Sequence, residues 1–192
     1  MRLPALHRVR AWSPRWYAVI AVVMAALGAL ACGPGAASAP ESTLGLEVTP
    51  AISTGDAPDF NVETFNHGAF SLSGKTGSPV VINFWFPSCP PCRAEMPDLQ
   101  EAYEKYGPMG VEFVGVQQLG LDTGEDGRSF LDDLGITYPN FPDMTNKVQL
   151  AYRVLAYPTT VFLDREHNIV RSWTGQIGQD DLEEQIERIL ES

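Results

Sequence analysis

Two cysteines, Cys89 and Cys92, stand three residues apart in the stretch FWFPSCPPCRAEMP, with two prolines between them. The stretch follows an apolar run and precedes a segment of helical periodicity, so Cys89 is expected where a strand ends and a helix begins. Unpaired amides and the dipole at a helix N-terminus favour an ionised sulfur, and the thiolate is the reactive form of cysteine. Pro90 suits the first helical position, where an N–H group is not needed. The pattern predicts a redox-active dithiol, with Cys89 as the attacking nucleophile and Cys92 as the resolving thiol.

The residues alone leave two other functions possible for the cysteine pair, namely half of a zinc site or an inert structural disulfide. A structural zinc site needs four ligands, and the pair supplies two. The remaining cysteine is Cys32, and both His67 and His167 fall in predicted turns, so no metal site is expected. An inert disulfide is the stronger alternative, because structural bridges are common in exported proteins. Such a bridge would have no need of a strand-to-helix junction.

The elements that must position this pair follow from hydrophobic periodicity. We predict, in order, a hairpin of FNVET and AFSL, a buried strand at Val80–Phe86, a helix after the cysteines that ends at Gly107–Pro108, a buried strand VEFVGV, a short helix at Ser129–Leu134, a helix in TNKVQLAYRV, a hairpin of TTVFLD and NIVRSW, and a last helix in DDLEEQIERILES. This order of strands and helices predicts a mixed sheet with helices on both faces.

Several motifs in this order resemble the TlpA/ResA family of tethered thiol:disulfide oxidoreductases. They are PDF, VVINFW, CPPCRAEMPDL, the pair Pro158-Thr159 and the closing hairpin and helix, and the resemblance covers residues 57–192. It implies an α/β, thioredoxin-like fold: a mixed central sheet flanked by helices, an N-terminal β-hairpin and an inserted helix before a cis-proline loop. No metal, nucleotide or flavin motif is visible, so no cofactor is expected besides the redox-active Cys89-Cys92 disulfide.

Glu95 is the candidate proton acceptor of this site. It follows Cys92 by three residues and therefore lies on the same side of the helix. The resemblance implies that a glutamate here lies by the active site and tunes or shuttles the thiol proton. Thioredoxins proper carry a buried aspartate in the preceding strand, but this chain has Asn83, which cannot take a proton. Deprotonation of Cys92 still needs a base, so Glu95 is expected to serve. The alternative is an acid that only complements the helix dipole.

Tyr157-Pro158-Thr159 matches the cis-proline loop of the family. The cis form is accessible at X–Pro bonds, where it costs only about 0.5–1 kcal/mol. A cis bond before Pro158 would expose the backbone of Tyr157 beside Cys89, ready to pair with an extended client strand. Pro158 is therefore assigned to the catalytic site.

The groove that receives the client is assigned to four residues near the cysteines. They are Trp85, Pro87, Tyr157 and Thr159. Many relatives carry a tryptophan immediately before the first cysteine, whereas this chain has Ser88. The departure alters the flank of the groove and with it the preferred client.

The N-terminal region has the pattern of an export leader. A basic stretch, an apolar run and small residues over residues 1–31 predict a signal peptide or lipoprotein leader. The sequence ALAC resembles a lipobox that would place a lipid on Cys32; an uncleaved anchor and cleavage after Ala39 are the alternatives. Residues 32–56, rich in Gly, Ala, Ser, Pro and Thr, are predicted to be a flexible tether to a thioredoxin-like domain at 57–192. All three possibilities place the domain outside the cytoplasm, and two of them tether it to the membrane.

The charge of the chain argues against nucleic acid as a partner. Its formal net charge is -11 over 192 residues. Since four of its arginines lie among residues 1–31, which hold no acid, the remainder is more acidic still. Binding to phosphates requires clustered Lys and Arg, so the acidic balance is expected to serve solubility.

These features predict a membrane-tethered, extracytoplasmic thiol:disulfide oxidoreductase that reduces protein disulfides. The resemblance implies clients such as apocytochrome c, hence a role in cytochrome c maturation, and a transmembrane thiol carrier as electron donor. One alternative is a peroxiredoxin-type thiol peroxidase with Cys92 as the peroxidatic residue, but Cys89 stands where threonine or serine is usual. Another is a copper-chaperone-like binding module, but the CPPC spacing is tight and no histidine lies near Pro158.

Overall fold

The computed structural model describes residues 55–192. The predicted leader, the lipidation site Cys32 and all but the last two residues of the predicted tether lie outside these residues. Asp56 forms an isolated β-bridge with Asn168, and the Gly55 carbonyl accepts a hydrogen bond of 2.9 Å from the Ile169 N–H. The folded unit therefore includes Gly55 and Asp56.

Seven strands and four helices make up the described part of the chain. In chain order they are β1 (Asn61–Glu63), β2 (Ala69–Ser71), β3 (Val80–Trp85), α1 (Pro90–Tyr106), β4 (Glu112–Gln118), α2 (Gly124–Leu134), β5 (Asn140–Asp143), α3 (Lys147–Ala151), β6 (Thr159–Leu163), β7 (Ile169–Thr174) and α4 (Gln179–Glu191). No helix within residues 55–192 is both long enough and apolar enough to span a membrane.

A five-stranded mixed sheet of order β5-β4-β3-β6-β7 carries the site. β3 pairs in parallel with β4, and β4 in parallel with β5, whereas β3–β6 and β6–β7 are antiparallel. Every residue of β3 is buried, as a continuous apolar run predicts for a central strand covered on both faces. β1 and β2 form a separate antiparallel hairpin. The helix α1 thus begins five residues after the end of a strand that is buried along its whole length.

The two faces of the sheet support separate apolar cores, because alternate residues of β3 point to opposite sides. Val81 and Trp85 face a core to which α1, α2 and α4 contribute; its helical members include Cys92, Met96, Leu99, Phe130, Leu131, Leu182 and Ile186. Ile82 and Phe84 face a second core, which is covered by the hairpin, by α3 and by the residues next to them. These covering residues include Phe60, Phe70, Leu72, Val148 and Tyr152. The arrangement matches the predicted mixed sheet, N-terminal hairpin and inserted helix.

Three elements differ from the sequence prediction. β5 was not predicted because it is short and contains Pro142, which is tolerated only at a sheet edge, where β5 lies. α2 begins at Gly124 rather than Ser129, since Thr123 and Asp126 form a capping box that starts the helix earlier. α3 has only five residues, and the chain beyond it turns through Arg153 with a φ of 52°. Local capping and backbone geometry therefore outweigh periodicity in these segments.

Candidate active site

The two cysteines form a disulfide at the N-terminus of α1. Their sulfurs are 2.05 Å apart, and their Cα atoms are 5.3 Å apart. Cys89 is the N-cap residue of the helix, between exposed Ser88 and Pro90. Its exposed fraction is 3%, whereas that of Cys92 is 0%. An incoming sulfur atom therefore approaches the pair from the Cys89 side.

One helix amide points at the sulfur of Cys89. The Cys92 N–H donates to Cys89 Sγ at 3.3 Å. The sequence predicts several unpaired amides around this sulfur, but within residues 55–192 the structure directs only one amide of this turn at it. Pro90 and Pro91 occupy the first two helical positions and have no N–H to offer. The thiolate of Cys89 would thus receive the helix dipole and one N–H donor from this turn.

Glu95 is a buried residue of α1, three residues after Cys92, and both of its carboxyl oxygens accept hydrogen bonds. Its exposed fraction is 0%. Oε1 accepts from Asn83 Nδ2 at 2.7 Å, and Oε2 accepts from the backbone N–H of Ile177 at 3.0 Å. Burial raises the pKa of Glu95 to about 7, although these two hydrogen bonds work in the opposite direction by stabilising the carboxylate. A carboxyl group with this pKa can take and return a proton near neutrality.

Asn83 can serve either protonation state of Glu95. Its Nδ2 also donates to Thr160 Oγ1 at 3.1 Å, while its Oδ1 has no hydrogen-bond partner among the described residues. Because an amide offers both donors and an acceptor, a turn of the side chain would present Oδ1 to a protonated Glu95. An aspartate at position 83 would instead add a second acid to the pocket.

Two partners of Glu95 were not predicted from the sequence. Ile177 lies in the loop between β7 and α4, 82 residues away along the chain. Tyr138 lies close enough for the charge of Glu95 to add to burial in raising the pKa of its phenol, whose hydroxyl donates to Met96 Sδ at 3.0 Å. Neither contact has a local signal, because both depend on how distant loops pack.

The bond between Tyr157 and Pro158 is cis, as predicted. The Tyr157 ring is half-buried and packs edge-on against Phe86, with ring centroids 5.3 Å apart. The preceding residues are exposed, and Leu155 has an exposed fraction of 71%. Leu155 and Ala156 thus give this loop an exposed apolar surface just before the cis bond.

Two of the four residues predicted to line the client groove, Trp85 and Thr159, are buried and cannot contact a client. For these two residues the prediction is wrong. Trp85 has an exposed fraction of 0%, and its Nε1 donates to Asn140 Oδ1 at 2.9 Å. Thr159 is also buried, and its Oγ1 donates to the Ala156 carbonyl at 2.9 Å. Both side chains support the site from inside the protein. Pro87, although buried, lines a surface groove beside Ser88.

Gly115 permits the bond that anchors Trp85. A Cβ atom at Gly115 would lie 1.7 Å from Asn140 Oδ1 and 2.9 Å from Trp85 Nε1. Replacing Gly115 by alanine is therefore expected to break the Trp85–Asn140 bond and to lower the free energy of unfolding by about 2 kcal/mol or more. Gly124→Ala is the matched control, because a Cβ there meets Pro142 at 3.8 Å, an ordinary contact. Equal unfolding midpoints in urea for the two variants would contradict this role.

No group of three or more His, Cys, Asp and Glu side chains within residues 55–192 is arranged to hold a metal ion.

Comparison with known proteins identifies the family. The sequence profile of the AhpC/TSA family matches residues 54–172. The chain belongs to this family. Within it, the chain is similar to the thiol-disulfide oxidoreductase ResA of Oceanobacillus iheyensis, with 34% identity over 131 residues that cover 66% of this chain and 67% of the relative. ResA of Geobacillus kaustophilus is 34% identical over 136 residues, covering 69% of this chain and 75% of the relative.

Solved structures agree with this assignment. A protein from Chlorobium tepidum described as the thiol:disulfide interchange protein DsbE has a TM-score of 0.66 and 30% identity, covering 73% of this chain and 99% of that one. A DsbF homologue from Corynebacterium diphtheriae has a TM-score of 0.62 and 28% identity, covering 70% and 87%. These similarities confirm the predicted thioredoxin-like fold. The chain is a thiol-disulfide oxidoreductase of the ResA/DsbE type.

Proposed function

We propose that this family member reduces disulfide bonds in client proteins outside the cytoplasm, with Cys89 and Cys92 as its reactive dithiol and Glu95 as its proton acceptor. The observation that carries the proposal is a Cys89–Cys92 disulfide at a helix N-terminus, together with a buried carboxyl group on the same helix, Glu95, whose pKa is raised to about 7. An inert structural bridge would have no use for such a carboxyl group.

The first step takes place at Cys89. In the reduced enzyme its thiolate attacks one sulfur of the client disulfide, forming a mixed disulfide between Cys89 and the client. The second client sulfur leaves as a thiolate and takes a proton from solvent. Leu155 and Tyr157 flank the client, which pairs in extended form with the backbone of the loop before Pro158.

The second step releases the client. Glu95 accepts the proton of Cys92, and the resulting thiolate attacks Cys89 Sγ, forming the Cys89–Cys92 disulfide and expelling the remaining client sulfur. Two electrons have then passed from the enzyme dithiol to the client. A thiol donor must reduce the enzyme before the next cycle.

The environment of Cys89 favours the reducing direction. Strongly oxidising members of the superfamily owe their potential to a stabilised reduced form, in which the nucleophilic sulfur is an anion at neutral pH. Here the two prolines leave one N–H donor at Cys89 Sγ, and the ionised form of Glu95 adds a negative charge to the same helix. Both features lower the stability of the thiolate, so the dithiol is expected to be the better electron donor.

The finer assignments come from the resemblance and from the sequence of residues 1–56. Apocytochrome c is proposed as a client, a transmembrane thiol carrier as the electron donor, and the export leader with Cys32 as the membrane attachment. Pro87 and Tyr157 are proposed to contact the client, since Pro87 lines the groove next to Ser88 and Tyr157 lies in the exposed loop.

Single-turnover transfer to a peptide tests the proposal. The full chain carrying Cys32→Ala, so that the other two thiols are the only ones present, is reduced and mixed with a Cys-X-X-Cys-His peptide that holds an internal disulfide. We expect the peptide to become a dithiol in step with closure of the Cys89–Cys92 disulfide, both followed by mass spectrometry. A peptide that stays oxidised while the reduced enzyme persists would refute the reductase.

A test with hydrogen peroxide distinguishes the proposed reductase from the alternative function, a peroxiredoxin-type thiol peroxidase. A thiol peroxidase would consume peroxide faster than it reduces the peptide. We expect the opposite, because the peroxidatic role would fall to Cys92, whose side chain is fully buried.

A further inference from the structure

Asp122, in the loop between β4 and α2, is hydrogen-bonded to Ser88, the residue immediately before Cys89. The Ser88 N–H donates to Asp122 Oδ2 at 3.1 Å, and the Ser88 hydroxyl donates to the same oxygen at 2.7 Å. Asp122 lies between β4 and α2, 34 residues away along the chain. Since Cys89 follows Ser88 directly, this carboxylate lies at the edge of the reactive site.

Asp122 does not cap its own helix. That role belongs to Thr123 and Asp126, which form the capping box of α2. The Asp122 side chain instead points across to the junction of β3 and α1, where its one oxygen accepts both hydrogen bonds. Its contacts are therefore with the active-site turn.

The bond to Asp122 also removes an amide from the surroundings of the sulfur. The Cys89 N–H donates to the Phe86 carbonyl at 3.2 Å, and the Ser88 N–H is taken by Asp122. With prolines at the next two positions, the Cys92 N–H is the remaining donor of this turn that the described residues direct at Cys89 Sγ. A thiolate at Cys89 thus lacks an amide that it could otherwise recruit, and has a carboxylate nearby.

We infer that Asp122 is a positioning residue that, through Ser88, holds the active-site turn and disfavours the thiolate form of Cys89. It lowers the fraction of Cys89 that is thiolate between exchanges and strengthens the reducing character of the pair. This role rests on the proposed function, because it presupposes that Cys89 is the attacking sulfur.

Other charged groups share the groove of about 310 Å³ in which Asp122 and Ser88 lie. Arg93 of α1 lies over the ring of Phe130, with its guanidinium carbon 4.8 Å from the centroid. Asp126 accepts hydrogen bonds from Thr123, while Asp133 is exposed and lines the same groove. Glu95, buried in α1 three residues after Cys92, is the other acid close in sequence to the pair. Asp133 therefore offers a matched control, because its removal changes the charge of the groove without touching Ser88.

The test is the pH dependence of Cys89 alkylation by iodoacetamide in the reduced Cys32→Ala chain, measured by mass spectrometry of the Cys89 peptide. Asp122→Asn keeps an acceptor for the Ser88 N–H but removes the charge. We expect it to alkylate about three- to tenfold faster at about pH 6, with the midpoint of the profile displaced to lower pH. Asp122→Ala, which also frees the Ser88 N–H, is expected to react at least as fast. Asp133→Asn should react close to the parent rate.

Two results would overturn the inference. One is an unchanged or slower alkylation profile for Asp122→Asn while its thermal unfolding matches that of the parent. The other is an equal acceleration in Asp133→Asn, which would reduce the effect to the overall charge of the groove. Peptide reduction by the parent chain, measured in parallel, keeps this outcome separate from the proposed function: loss of reduction in the parent refutes the function, whereas loss of the alkylation difference alone refutes the role of Asp122.

Discussion

Replacing Cys92 by serine is expected to stop the reaction at a covalent complex between Cys89 and the client peptide, whereas replacing Cys89 by serine is expected to abolish both reduction and complex formation. The difference follows from burial. Cys89 keeps an exposed fraction of 3% between exposed Ser88 and Pro90 at the helix N-terminus, whereas the exposed fraction of Cys92 is 0%. In the Cys32→Ala background, the loss of Cys92 leaves no second thiol to displace the client from Cys89.

Mass spectrometry of the two variants, each in the Cys32→Ala background, distinguishes the roles. The Cys92→Ser chain should carry the peptide almost stoichiometrically on Cys89, and a small thiol should release it. The Cys89→Ser chain should carry none. A peptide adduct on Cys92 in the Cys89→Ser chain would show that the buried sulfur can attack the client. Cys92 would then be the nucleophile and Cys89 the resolving thiol.

Replacing Glu95 by glutamine is expected to slow release of the client by about 100-fold or more, the scale of general-base catalysis. In the parent, the rate of this step should rise with pH through about 7, as Glu95 ionises. Glutamine cannot accept the Cys92 proton, so this rise should disappear. The amide of Asn83 can turn its unpaired Oδ1 toward the new side chain, which lets the variant keep its packing.

The free energy of unfolding of the Glu95→Gln variant distinguishes a catalytic role of Glu95 from a structural one. Because burial raises the Glu95 pKa from 4.5 to about 7 in the folded protein, the protonated form favours folding. This contribution is complete below about pH 4.5 and is lost as pH rises through about 7, a difference of about 3 kcal/mol by linkage. Above neutral pH, Glu95→Gln should therefore be slower than the parent but no less stable in urea.

Glu101→Gln is the matched control for Glu95, since it removes an exposed acid from the same helix. Quenched-flow measurement of client release over a range of pH, for the parent and both variants, gives the comparison. A Glu95→Gln profile identical to that of the parent, or an equal loss in Glu101→Gln, would remove Glu95 from the mechanism.

The parts of the site that are local in sequence were predictable. The strand, the two cysteines and the helix are consecutive, so the position of Cys89 at a helix N-terminus follows from one stretch of chain. Glu95 follows from helical spacing alone. Asp122 and Ile177 could not be predicted in this way, because they reach the site from loops 34 and 82 residues distant from their partners.

Trp85 carries two sequence signals that disagree. The run Val80–Trp85 predicts a strand covered on both faces, and the same argument places the Trp85 ring in the core. Its proximity in sequence to Cys89 suggested a groove residue instead. β5 was missed for a different reason: Pro142 opposes strand propensity, and only the pairing with β4 at the sheet edge stabilises the element.

The two prolines of the motif determine how strongly the helix can stabilise an anionic sulfur. Any other residue at position 90 or 91 would restore a backbone N–H at the start of α1. The N-terminus of a helix is therefore not uniformly activating. Its effect on Cys89 depends on how many amides remain to face the sulfur, and among residues 55–192 that amide is the Cys92 N–H.

The reduction potential of the Cys89–Cys92 pair in the full chain tests the central claim most directly. Equilibration with glutathione or dithiothreitol redox buffers, followed by alkylation and mass spectrometry, gives the value for the Cys32→Ala parent. We predict a potential closer to the roughly -270 mV of reducing thioredoxins than to the roughly -120 mV of the strongest oxidants of this superfamily. A value near -120 mV would mean that the pair takes electrons from its clients, and would contradict a reductase.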